Sequence, residues 1–205
     1  MKTDIIKVHT SGYVHCKSAF YSAQDSISEN KEYTFYPGVN KLVGDIDSGN
    51  WAISYLLSMY NCRNKDFILF DQPRVEINKA EIKISELSEF SCYMDKSYPL
   101  FSSAKTIRQI VSQNKKSNNI ELSTDDIMSL FRISDDRFDR SLKEVGNEIF
   151  KAMAAIAYCN KKEIFCFPWM SYKRYESYHQ NLSGLLEILE GLNKLVILPI
   201  GNDRS

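Results

Sequence analysis

Gly44 and Gly49 carry the first chemical signal in this sequence. They stand directly after the apolar pair Leu42-Val43 and just before an apolar run of Trp51, Ile53, Tyr55, Leu56, Met59 and Tyr60. A short strand, a loop rich in turn formers and a buried helix make the frame of a phosphate-binding loop, with its motif G-x-x-x-x-G-K-[ST]. In that frame the glycines let backbone N–H groups wrap an anion at the helix N-terminus. The frame is present, but the charged side chains are not. Asn50 stands in the lysine position and Trp51 in the position of the magnesium-binding hydroxyl, while Ser48 precedes the second glycine. Asp45 and Asp47 place negative charge beside the loop. The same residues also fit plain turn glycines ahead of a core helix, with Asn50 as its cap and Trp51 as its first packed residue.

The elements around this segment read as one α/β domain. A chain of 205 residues suits a single domain, and 26 basic against 26 acidic side chains leave no net charge. That balance argues against the basic field of a nucleic-acid binder and against a polybasic membrane anchor. The start, Met1-Lys2-Thr3-Asp4, reads as polar with no secretory leader, and the longest apolar runs are too short to span a bilayer. The five cysteines (Cys16, Cys62, Cys92, Cys159, Cys166) contain no C-x-x-C pair, and His9, His15 and His179 show no ligand spacing with them. Reduced thiols, most of them in the core, and no metal site are expected.

The first 36 residues alternate irregularly, are enriched in Tyr, Phe, Val and Thr and read as strands, and Pro37-Gly38 reads as a turn before a strand over 40–43. Short strands are expected at Phe67–Phe70, in two stretches within 75–87, and at Ser91–Met94. From Thr106 to Glu148 the pattern turns helical and polar. Ser123-Thr124-Asp125-Asp126 and Ser134-Asp135-Asp136 each read as an N-terminal cap, and 113–119 as a solvated loop. An alanine-rich helix over 151–159, a buried strand at Ile164–Phe167, a leucine-rich helix capped by Gly191 and a last buried strand at Leu195–Ile200 complete the chain. Apolar strands alternating with helices predict a mostly parallel sheet covered on both faces. The tract from Trp169 to His179, rich in rings and cations, is read as loop aromatics, a partner-binding patch or, less readily, a single-strand binder.

Read in order, these segments resemble the ATP-binding cassette domains of ABC transporters. The glycine loop matches that family's phosphate loop. Cys92-Tyr93-Met94-Asp95-Lys96 is similar to its strand and Q-loop, with Lys96 in the place of glutamine. Glu144-Val145-Gly146-Asn147-Glu148 aligns with the L-S-G-G-Q signature, where Gly146 matches and Val145 does not. Ile164–Phe167 resembles the Walker B strand, its acidic pair replaced by Pro168-Trp169. The switch histidine falls at Gly201. The resemblance covers roughly residues 30–202 and lies in order and spacing.

The resemblance implies a P-loop-type α/β domain over 1–205, with an N-terminal antiparallel part and a helical subdomain of about 104–148 inserted in the core. It also implies lost chemistry, because phosphoryl transfer needs charge neutralisation that Asn50, Trp51, Pro168 and Trp169 do not supply. The expected function is a non-hydrolysing accessory or regulatory subunit. A pure interaction scaffold or immunity-type factor, and a working ATPase with divergent motifs, are the alternatives. No cofactor is expected, ATP with magnesium being the one candidate. The expected partner is an intact ATPase subunit, a membrane permease or a second copy of the chain, with no nucleic acid. The implied place is the cytoplasm, at the inner membrane face through such a partner.

Overall fold

A computed structural model describes residues 4–10, 14–17, 24–27, 31–58, 67–69 and 73–202. Its first strands are β1 (Ile6–Thr10), β2 (Val14–Lys17), β3 (Gln24–Ser26), β4 (Lys31–Phe35) and β5 (Gly38–Val43). Helix α1 spans Asn50–Ser58 and leads to β6 (Phe67–Leu69), β7 (Arg74–Ile77) and β8 (Ala80–Ile82). The short α2 (Leu87–Phe90) precedes β9 (Ser91–Tyr93). Helices α3 (Ile107–Ser117), α4 (Thr124–Leu130) and α5 (Asp135–Phe138) form the middle of the chain. Then come α6 (Ile149–Cys159), β10 (Ile164–Cys166), α7 (Tyr172–Gly191) and β11 (Leu195–Ile200).

The antiparallel part is built by alternation. In β1, Ile6, Val8 and Thr10 face the core, and Ile6 stands opposite both Phe35 of β4 and Ile77 of β7. On the other face Lys7 and His9 approach Glu32 at 3.9 and 3.4 Å. One apolar and one charged face is what a sheet packed on one side requires. The β7–β8 hairpin turns at Asn78-Lys79, both with positive φ, and Asn78 Oδ1 accepts the N–H groups of Asp4 and Ile5. That is the asparagine-led hairpin turn whose twist matches its strands.

The second sheet is parallel, in the order β5-β11-β10-β9. Every residue of β9, β10 and β11 is buried, so helices must cover both faces. Helix α1 packs on β9, β10 and β11, while α7 packs on β11 and β5. A third sheet, β3-β2-β6, lies against α1 through β2 and β3.

The helical middle is secured by caps and by one cation. Thr106 with Gln109 and Ser123 with Asp126 form complete capping boxes on α3 and α4. Arg108 of α3 reaches Asp125 of α4 at 2.5 Å, Asp139 at the end of α5 at 2.7 Å and Asp135 at 3.8 Å, over the Phe138 ring.

Several local expectations are corrected. Residues 113–117 continue α3 instead of looping, because Gln, Asn and Lys are tolerated on an exposed helical face. Ser134 does not cap α5 with its side chain; its N–H and Oγ both donate to Glu148 Oε2 at 3.1 Å. Gly191 ends α7 inside the helix, and the left-handed residue beyond it is Asn193. Gly38 belongs to β5, and the aromatic tract after Trp169 is the N-terminal half of α7, begun by Ser171, whose Oγ accepts the Arg174 N–H. Met59, Tyr60, Cys62 and Phe70 lie outside the described residues. Among the described residues no helix is long and apolar enough to cross a membrane.

Arg108→Ala is expected to lower stability by about 1 kcal/mol, since a partly exposed charge network is worth little more. The urea midpoint measures it, and the loss should shrink near 1 M salt, on the order of a 3 Å screening length.

Candidate functional site

The site forms where β5, α1, β10 and β11 end. The Gly44 N–H donates to Ile200 O at 2.9 Å and anchors the loop to β11, and the Ser48 N–H donates to Asp45 O at 3.0 Å to close the turn. Asp45 and Asp47 point into solvent, so their charge stays hydrated. Gly49 has φ of +86°, and a Cβ there would stand 3.0 Å from Ser26 O and 3.4 Å from Ile27 Cα. Both the conformation and the approach of the β3 backbone require glycine. The Gly49 carbonyl accepts the Ile53 N–H at 3.0 Å and starts α1.

The amides at this helix start are already engaged. Asp25 of β3 is almost fully buried. Its Oδ1 accepts the Gly49 N–H at 2.7 Å and its Oδ2 accepts the Ala52 N–H at 2.8 Å. The Ser26 N–H adds a third bond at 3.0 Å. Burial pushes the Asp25 carboxyl up to about 6, while the N–H groups of Ala52, Gly49, Ser26 and Trp51 pull it down. At neutral pH it is therefore largely ionised, a single negative charge at a helix N-terminus.

Trp51 turns its indole inward. Its Nε1–H donates to the Tyr93 hydroxyl at 3.0 Å, and both side chains are buried. Burial raises the Tyr93 phenol well above its ordinary range, so it stays neutral. Ser54 on the same helix donates from Oγ to Phe167 O at 2.5 Å, tying α1 to the end of β10. Trp169 donates from Nε1 to Gly44 O at 3.2 Å. Its ring lies over Gly201, where a Cβ would come within 2.7 Å of Cζ2. Asn50 is buried, with Nδ2 only 2.7 Å from where a Cβ on Gly44 would stand.

The residues singled out in the sequence thus fall into separate places. Gly44, Ser48, Gly49, Asn50 and Trp51 shape the loop and the start of α1, and Pro168, Trp169 and Gly201 lie beside it at the ends of β10 and β11. Lys96 is exposed and lines an open cavity of about 490 Å³ with Phe101, Leu142 and Lys143. Val145 is fully buried, and Gly146, at φ +64°, follows it beside Arg137, whose Nη1 donates to Val145 O. Asp25 was not foreseen, because an aspartate in a polar strand carries no signal of a partner so far along the chain. Cys92, Cys159 and Cys166 are free and buried, and burial pushes the first two thiols up to about 12, which makes all three inert core groups.

This arrangement can be set beside known proteins. No protein-family model and no curated protein matches the sequence. Solved structures do match. One is a Pyrococcus furiosus protein described as an ABC transporter ATP-binding protein, 14% identical, with a TM-score of 0.62 over 98% of this chain and 92% of that one. Another is an ATP-binding cassette of an ABC transporter in its ADP conformation, 14% identical, with a TM-score of 0.61 over 100% of this chain and 83% of that one. The chain has the fold of an ATP-binding cassette domain. The α/β class expected from the strand and helix order is the one observed.

A magnesium nucleotide does not fit the residues that this cassette fold presents. The Gly49 and Ala52 amides are bonded to Asp25, and the Trp51 side chain at the start of α1 is an indole bonded to a phenol. Pro168 and Trp169 bring no carboxylate. Among the described residues no group of three or more His, Cys, Asp or Glu is placed to hold a metal ion.

Two outcomes test this geometry. Trp51→Ala is expected to cost about 3–5 kcal/mol, the usual range for emptying a buried aromatic site, read from denaturant unfolding. The second concerns pH. Because the folded-state value of Asp25 is raised from 3.8 to about 6, its contribution is fully present below about pH 4 and is lost as pH rises through about 6. At roughly 1.4 kcal/mol per pH unit the span is about 3 kcal/mol. The stability of the wild type relative to Asp25→Asn should therefore fall between about pH 4 and pH 6 and level off above, and a flat difference would contradict the assigned burial.

Proposed function

We propose that this chain is a cassette-type domain that does not hydrolyse ATP and serves as an accessory or regulatory subunit of a transporter or related complex. One observation carries the reading: groups that would meet a nucleotide are bonded within the chain, the Gly49 and Ala52 amides to Asp25 and the Trp51 indole to Tyr93. Hydrolysis depends on positioned charge, from lysine, magnesium and a carboxylate beside water. Asn50, Trp51, Pro168 and Trp169 offer none of these.

A role through partners follows from what the fold keeps. The segment after β9 and the helical middle enclose the open cavity lined by Lys96, Phe101, Leu142 and Lys143. Its mixture of cations and apolar walls suits a protein segment better than a nucleotide. The structural neighbours are described as parts of ABC transporters. An intact ATPase subunit, a permease or a second copy of the chain is the partner class this supports, with residues 104–148 as the docking region and the cytoplasmic membrane face as the place of work.

The test is calorimetry of the purified chain with ATP and magnesium, followed by a phosphate-release assay. No binding heat and no release above the buffer rate are expected. The double substitution Asn50→Lys with Trp51→Ser should not create turnover, since Asp25, Pro168 and Trp169 remain. Magnesium-dependent release that disappears on altering Gly49 would refute the proposal.

A further inference from the structure

The Asp25 carboxylate does more than exclude a ligand. In a phosphate-binding loop, the amide of the second glycine and those of the first helical residues are the donors to phosphate oxygens. Gly49 and Ala52 are those donors here, and the two Asp25 oxygens receive one bond from each at 2.7 and 2.8 Å. The contact is tight and buried: Asp25, Ile27 and Gly49 are all inaccessible, with Ser26 O at 3.0 Å from a Cβ on Gly49. A second observation comes from a different side chain. Ser48 Oγ, inside the same loop, is buried and has no hydrogen-bond partner among the described residues. It lies 2.7 Å from where a Cβ on Gly44 would be. An anion with more oxygens than a carboxylate would offer that hydroxyl the acceptor it lacks.

We propose that Asp25 is an internal surrogate for a nucleotide phosphate, holding the Gly44–Ala52 loop in its anion-bound shape and keeping out phosphate oxyanions until it is removed. The inference rests on reading the loop as a cassette phosphate loop, and it adds what fills it. It also makes the loop shape independent of any nucleotide, so that a partner would meet the same surface at all times.

Chemical rescue tests the idea on the full-length chain at neutral pH. Thermal midpoints of the wild type and Asp25→Ala are compared in inorganic phosphate and in chloride of equal ionic strength. Asp25→Ala should melt lower than the wild type in chloride. Saturating phosphate should then raise its midpoint by roughly 4 °C or more, with no matching rise for the wild type. Nitrogen-15 spectra should show the Gly49 and Ala52 amides moving with phosphate in the variant alone. Adding Ser48→Ala to the variant should weaken its phosphate response several-fold. Equal phosphate responses in the two proteins, or a stable Asp25→Ala that ignores phosphate, would overturn the proposal. If Asp25→Ala does not fold, Asp25→Asn decides. The carboxamide keeps one oxygen, so one of the Gly49 and Ala52 amides loses its acceptor and should exchange with solvent about tenfold faster or more, as a lost bond of roughly 1.4 kcal/mol implies, and unchanged exchange at both would overturn the role. Phosphate stabilising the wild type without ATP turnover sinks the surrogate alone. Turnover by the wild type sinks the non-hydrolysing reading.

Discussion

A helix that begins inside a protein must find acceptors for its first amides. Helix α1 is buried along all but one of its residues, so the N–H groups at its start cannot be left to bulk water. Each unsatisfied buried donor would cost about 1–3 kcal/mol. A nucleotide phosphate meets this need in a working phosphate loop. In this chain a carboxylate meets it, delivered by a strand of a different sheet. Much of the surrounding structure can be read from that constraint. Strand β3 must lie against α1, Gly49 must lack a side chain to let it approach, and Ile27 must pack just beyond.

Once the anion is internal, the rest of the site is free of the demands of charge. At the start of α1 this chain places Trp51, Tyr55 and Tyr93 in one aromatic group, in which the Trp51 indole donates to the Tyr93 phenol. Where an acidic pair would end the β10 strand, Pro168 redirects the chain and Trp169 closes over Gly201, while its N–H satisfies Gly44 O. These are packing solutions in which both indole N–H groups find acceptors, the kind of interior that rigidifies a fold. They also explain why the overall architecture matches cassette domains at 14% identity. The frame of strand, loop and helix is kept by burial of β9, β10 and β11, which does not depend on the residues that touch a nucleotide.

That division also decides what was legible from residues alone. The apolar strands at Ile164–Cys166 and Leu195–Ile200, the strand character of the first residues and the cap at Ser123 carry local signals, and each appears where expected, whereas the capping box at Thr106 was not read from the sequence. The loop between Gly44 and Gly49 was visible for the same reason. What escaped is non-local. Asp25 meets Gly49 and Ala52 across 24 and 27 residues, and its strand, Gln24-Asp25-Ser26, has no apolar periodicity to place it. Ser134 looks like a cap, yet its hydroxyl goes to Glu148, fourteen residues on. Residues 113–117 are polar because their face of α3 is solvated, and composition alone cannot separate that from a loop.

The size of the charge explains why the replacement is self-consistent. The cost of burying an ion grows with the square of its charge, and even a singly charged group is expensive to take out of water. A phosphate loop accepts a multiply charged ligand because lysine and magnesium offset most of that charge. With Asn50 and Trp51 beside the loop, only backbone dipoles and amides face the Asp25 charge, and these offset part of the desolvation that raises its carboxyl to about 6, enough to leave it largely ionised at neutral pH. A carboxylate carries one negative charge. Being tethered, it also enjoys an effective concentration on the order of millimolar or above, without the entropy lost by a free ligand. The absence of a cation at Asn50 and the presence of the Asp25 carboxylate are thus consistent with each other: without a positive charge a phosphate is costly for the loop, and an anion of smaller charge from within the chain accepts from the Gly49 and Ala52 amides.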